Sequence, residues 1–141
     1  GNELSRLGMD VSEHLLSPYA DFLNSIGATR SCDLLQQRTN TSVLIAGVKV
    51  ALQSPPVRSG KRVLFLSLDD GYGCSDATFF PDVLEAQSGQ YAQTLYATSL
   101  FLVRGTTRRT GERGISIRAT GVWDLQSAYR DWNLKKGSVA I

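Results

Sequence analysis

The chain has 141 residues, 42% of them hydrophobic and 20% charged, the balance of one ordinary soluble domain with a modest core. Its net charge of +2 does not by itself predict a polyanionic partner, and no apolar run approaches the roughly 20 residues that a membrane helix requires. No secretory signal precedes Cys32 and Cys74, which predicts reduced thiols in the cytosol, and the opening Gly1-Asn2 in place of Met is expected of a piece excised from a longer protein.

Residues 1–41 read as a helical extension. Ser17-Pro18 supplies a cap and a first-turn proline ahead of Tyr19, Phe22, Leu23 and Ile26, and Gly27 stops the run. A second short helix follows Ser31, with Leu34 and Leu35 as its apolar side. The segment carries a net charge of −2, so it is expected to pack on the rest of the fold and not to touch nucleic acid. His14 has only Glu13 and Asp10 near it, which is poor ligand spacing, and no metal site is expected.

Residues 42–125 read as five strands. Ser42 to Val50 is the first, and Arg62 to Asp69 the second. Between them Pro55, Pro56 and Gly60 break regular structure, and Arg58, Lys61 and Arg62 stand without an acidic neighbour. Asp69-Asp70-Gly71-Tyr72-Gly73 is a turn rich in residues that tolerate positive φ. Phosphoryl-transfer chemistry needs clustered carboxylates to hold divalent metals, and this adjacent pair reads as turn-formers, so no catalytic residue is assigned. Cys74 to Phe80 is the third strand. Pro81 to Thr98 is a helical insertion with Val83, Leu84, Tyr91, Leu95 and Tyr96 as apolar surface. Ser99 to Thr107 and Ile115 to Trp123 form a closing hairpin around Arg108, Arg109, Glu112 and Arg113. Residues 126–141 are a tail in which Tyr129, Trp132, Lys135 and Lys136 could stack on nucleic acid, cover the barrel or bind a partner.

Five strands with a helix after the third predict an all-β Greek-key barrel of the oligonucleotide- and oligosaccharide-binding type, the OB-fold, whose binding loops are the first and last hairpin connections. Those two loops are the basic ones. Residues 53–62 carry three cations and no acid, and 106–114 carry three cations and one acid, leaving the remainder of the chain at −3. Two like-charged loops at one mouth of a barrel repel each other, a conflict that an anionic ligand would remove; solvated loops are the plainer alternative.

Strand alternation adds a separate argument. Leu64, Leu66 and Leu68 share the core face, so Val63, Phe65 and Ser67 share the opposite one. Phe65 is then either buried under the N-terminal segment or free to stack on a base, which contributes about 1–3 kcal/mol regardless of sequence. By the same parity Lys49 is expected beside Phe65, with Asp76 and Thr78 lining that surface.

The chain resembles part of the bacterial family C DNA polymerases, the polymerase III alpha group, and within it the error-prone branch. Leu7-Gly8-Met9-Asp10-Val11-Ser12-Glu13-His14 resembles the family's passage into its OB domain, although His14 is followed by Leu15-Leu16 where the family often has His-Pro-Leu. Val43 to Val48 and Val63 to Phe80 resemble the barrel itself. Ala46-Gly47-Val48-Lys49-Val50-Ala51, Pro55-Pro56-Val57-Arg58-Ser59-Gly60, Asp76-Ala77-Thr78-Phe79-Phe80, Arg108-Arg109-Thr110-Gly111 and Arg118-Ala119-Thr120-Gly121 resemble the error-prone branch. Phe65-Leu66-Ser67-Leu68-Asp69 is also similar to the Phe-x-x-Leu-x-Asp pattern of anticodon-binding OB domains, where the Phe stacks on a base.

The resemblance implies a fragment of a polymerase that copies damaged DNA with a sliding clamp and an inactive Y-family polymerase-like partner. The fragment itself is expected to be no enzyme and to need no cofactor. It is expected to bind single-stranded template DNA, with Arg58, Lys61, Arg62, Arg108, Arg109 and Arg113 on phosphates, Lys49 and Arg118 lining the strands, and Phe65 stacking. The competing readings are a protein-interaction module that recruits clamp or accessory factors, and an RNA anticodon binder. In the polymerase, the N-terminal segment could dock on the remainder of the protein.

Overall fold

The computed structural model describes residues 11–55, 62–110 and 114–140. Five strands, β1 (Ser42–Gln53), β2 (Leu64–Asp69), β3 (Cys74–Phe79), β4 (Leu100–Arg109) and β5 (Ile115–Asp124), close a barrel in the order β1-β2-β3-β5-β4. The closure is a parallel contact, Ala77 with Ile117 and Thr78 with Arg118. This is the OB-fold that the strand order predicted.

β1 is the longest strand because it serves two neighbours. It pairs with β4 from Ser42 to Val48 and with β2 from Val48 to Gln53, and its register shifts between Lys49 and Ala51. Such a bulge bends a strand, and here the bend lies where β1 changes partner. Gly47 sits just before it; a Cβ there would lie 2.9 Å from Leu68 Cβ, so the crossing of β1 over β2 needs a residue without one.

Leu64, Leu66 and Leu68 point inward as alternation requires, meeting Ile45, Phe101 and Ile117 in the interior. The Pro81–Thr98 segment is two helices and not one, α3 (Pro81–Glu85) and α4 (Gln90–Ala97), joined by a 3-10 turn (Ala86–Gly89). Leu84, Ala92 and Leu95 from these helices are buried and plug the barrel.

A second apolar cluster lies outside the barrel wall. Residues 11–16 are helical and run through a 3-10 turn (Ser17–Tyr19) into α1 (Ala20–Ser25), and α2 (Ser31–Leu34) follows. The long C-terminal helix α5 (Leu125–Ala140) returns beside them. Phe22, Leu16 and Leu125 bury Leu44, Ala46 and Leu102 on the outer side of β1 and β4. The barrel interior takes Val43 and Ile45, so both faces of β1 are covered. That explains why 43–48 reads as a continuous apolar run and not as an alternation. Tyr129 and Trp132 pack on Phe22 with ring centroids 5.7 and 5.2 Å away, so these two aromatic rings of the tail cover the barrel.

The β2–β3 turn anchors this arm. Asp69 Oδ1 accepts the Gly71 N–H at 2.9 Å, as its turn role requires. Asp70 does more: its carboxylate accepts the Ser31 N–H and the Ser31 hydroxyl, both at 2.7 Å, as well as the Tyr72 N–H at 3.0 Å. A single side chain thereby shapes the turn and satisfies the first N–H of α2.

Candidate nucleic-acid interface

The outward face of β2, β3 and β5 carries one continuous row set by backbone register: Gln53, Phe65, Thr78, Arg118 and Thr106 stand side by side across five strands. Phe65 is 41% exposed, not buried under the arm. Neighbouring strands lie about 4.8 Å apart, so Arg118, two strands from Phe65, starts about 10 Å from it. The Arg118 guanidinium rests over the Phe80 ring, 4.7 Å from its centroid. Asp76 and Thr78 line the face as expected. Asp76 is exposed and accepts the Ser67 hydroxyl at 2.8 Å, which places one carboxylate beside the row. It disfavours a phosphate at the middle of the face.

Lys49 is elsewhere. It pairs with the buried Leu68, its ammonium donates to the Leu95 carbonyl at 3.1 Å and lies 5.8 Å from the buried Phe101 ring. The parity argument misplaced it because both faces of β1 are covered: Leu44 and Ala46 face the arm, which turns Lys49 inward with Val43 and Ile45.

The two basic loops also differ from expectation. Leu64 pairs with Phe79, so Arg62 stands at the C-terminal end of β3; Ile117 is level with Ala77, so Gly114 and the start of β5 lie toward the Cys74 end. The described ends of the two loops therefore lie at two ends of the face and not at one mouth. Six residues of β3 separate their levels, about 20 Å, while screening at 0.1 M salt acts over about 10 Å. Repulsion between Arg62 of the first loop and Arg108 of the second is thus weak, and these two charges alone do not demand an anionic ligand.

Of the loop cations, Arg58, Lys61 and Arg113 lie outside the described residues, as does the side chain of Lys136 in the tail. Arg62 is exposed, with its guanidinium 5.7 Å from the Tyr96 ring centroid. Arg108 is exposed at the edge of the face, paired with Ser116. Arg109 has a structural occupation: its guanidinium donates to the Leu35 carbonyl at 3.0 Å and the Gln37 carbonyl at 3.5 Å, just past the end of α2. Two aromatic–cation pairs, Arg62 with Tyr96 and Arg118 with Phe80, have no signal in the sequence, because each joins residues more than thirty positions apart.

Cys32 and Cys74 are both free and exposed. Partial desolvation first, then the carboxylates of Asp69, Asp76 and Asp70, push the Cys74 thiol above its ordinary value of 9.0, so it is protonated at neutral pH. Among the described residues no group of three or more His, Cys, Asp or Glu is placed to hold a metal ion, and no helix is long and apolar enough to cross a membrane.

No protein-family model matches the chain. It is 36% identical over 122 residues to an error-prone DNA polymerase of Symbiobacterium thermophilum, an alignment covering 86% of this chain and 11% of that protein. With a DNA polymerase III subunit alpha of Pasteurella multocida it shares 30% identity over 103 residues, 73% of this chain and 8% of that protein. The chain is homologous to a segment of the bacterial family C DNA polymerases. It spans about a tenth of the length of these family C relatives. Among solved structures it is similar to an aspartyl-tRNA synthetase from Entamoeba histolytica (TM-score 0.54, 15% identity, 70% of this chain and 21% of that one). An asparaginyl-tRNA synthetase from Pyrococcus horikoshii is comparable (TM-score 0.53, 20% identity, 69% and 22%). At such identities the likeness speaks for the OB-fold alone.

Proposed function

We propose that the outward face of β2, β3 and β5 binds single-stranded DNA, as the template-holding OB domain of a polymerase III alpha-type, error-prone polymerase. The observation that carries this reading is the row Phe65–Thr78–Arg118: an exposed ring for a base and, about 10 Å away, a guanidinium held by an aromatic for a phosphate. Homology to DNA polymerases supplies the nucleic acid. Arg62 and Arg108 extend phosphate contacts to either end, Arg58, Lys61 and Arg113 are proposed as further phosphate contacts, and recognition is sequence-tolerant because every base has a stacking face. Lys49 is not among the contacts, and Arg109 is committed to α2. The parent polymerase would supply lesion bypass, the sliding clamp and the Y-family-like partner.

Fluorescence anisotropy with a labelled oligo-dT in low salt tests the proposal. The wild-type chain is expected to bind, and Phe65→Ala to bind about tenfold more weakly, the loss of one stacked base. No binding at micromolar protein overturns the reading, and stronger binding of oligo-U than oligo-dT transfers it to RNA. The protein-interaction reading has an observation of its own, a groove of about 680 Å³ between β4, β5 and α5 lined by Trp123, Arg104, Asp124 and Asp131. Absence of DNA binding would leave that groove as the functional surface.

A further inference from the structure

Tyr96 is an exposed aromatic that packing does not explain. On α4 the buried positions are Ala92 and Leu95, which plug the barrel, and Tyr96 follows one residue later, turned to solvent with 54% of its surface exposed. A lone exposed tyrosine is common; this one has the Arg62 guanidinium over its ring at 5.7 Å. Arg62 leads directly into β2, three residues before Phe65, so the pair stands just past the end of the Phe65 face where the first basic loop returns. Lys49 brings a second cation to the same helix end through the Leu95 carbonyl. That contact offsets the partial negative charge at the C-terminus of α4, which would otherwise repel a phosphate.

We propose that Tyr96 and Arg62 form a second stacking post, on which a DNA single strand leaving Phe65 continues over the end of the barrel. This deepens the single-strand reading above and rests on it. The ring takes one base, and the guanidinium is positioned for the phosphate on its 5′ or 3′ side. A strand too short to reach past the Phe65 face does not use the post, so the contribution of Tyr96 depends on oligonucleotide length, whereas that of Phe65 does not.

The test measures the affinity of the whole chain for oligo-dT of four and of twelve nucleotides. The expected result is that Tyr96→Ala weakens the twelve-mer about tenfold and leaves the four-mer unchanged, that Tyr96→Phe restores the twelve-mer, and that Phe65→Ala weakens both. Photo-crosslinking of a twelve-mer carrying 5-iodouracil is expected to yield peptide adducts at Tyr96 as well as at Phe65. Thermal midpoints of the variants equal to wild type establish that folding is not the cause. If Tyr96→Ala binds the twelve-mer like wild type and no adduct forms at Tyr96, while Phe65→Ala is weakened, the post is overturned and the single-strand reading stands. If the wild-type chain binds neither oligomer, both fall.

Discussion

Two arginines only a few residues from the same loop illustrate how little a formal charge says about its use. Arg118 lies on the open face with its guanidinium on Phe80, while Arg109 spends its donors on the Leu35 and Gln37 carbonyls. Arg118→Ala is therefore expected to weaken oligo-dT binding and to lower the slope of log affinity against log salt by about one, the loss of one phosphate contact. Arg109→Ala is expected to leave that slope unchanged and instead to lower stability by about 1 kcal/mol, through two exposed carbonyl contacts. Salt titrations and urea melts of the two variants separate these outcomes. An equal loss of slope in both would put Arg109 on the DNA after all. The basic composition of these loops is legible in the sequence. The partner of each guanidinium is not, because Leu35 and Gln37 lie over seventy positions away from Arg109.

At the scale of elements, the joint between the arm and the barrel depends on the β2–β3 turn. The Asp-Asp-Gly signal identifies a turn from local chemistry alone, but Asp70 also closes the N-terminus of α2 by accepting from Ser31. Asp70→Ala removes three accepted hydrogen bonds at a part-buried site, with an expected cost of about 2 kcal/mol by chemical denaturation. Amide exchange is expected to rise in α2 well before it rises in β4. Uniform loss of protection across the chain would show that the turn serves the barrel as a whole and not the arm. Opposite this joint, Thr107 is buried and its hydroxyl accepts the Thr41 N–H at 2.9 Å, so the entry to β1 is tied to β4 independently of Asp70.

Among the described residues the barrel has two cores, one inside its wall and one between β1, β4 and the helical segments before and after the barrel. Phe22 is the centre of the second, and Phe22→Ala is expected to cost about 3–4 kcal/mol and to change the fluorescence of Trp132, 5.2 Å away, while oligo-dT affinity is retained because the DNA face lies on other strands. A parallel loss of affinity would mean that the outer core sets the shape of the face. Local pattern was sufficient for the strands, the turn and the outward direction of Phe65, since alternation and turn chemistry act over a few residues and were readable from the chain itself. Lys49 shows where that stops: its orientation depends on whether the other side of β1 is covered, and the cover comes from Leu16, Phe22 and Leu125, far away along the chain. The sequence by itself determined the barrel, its inward leucines and the outward direction of Phe65. Only the tertiary structure decided that Phe65 is open to solvent and not covered by the arm, that Arg62 and Arg108 stand toward different ends of one face, and that Tyr96 meets Arg62, because those facts arise from contacts between segments with no local signature.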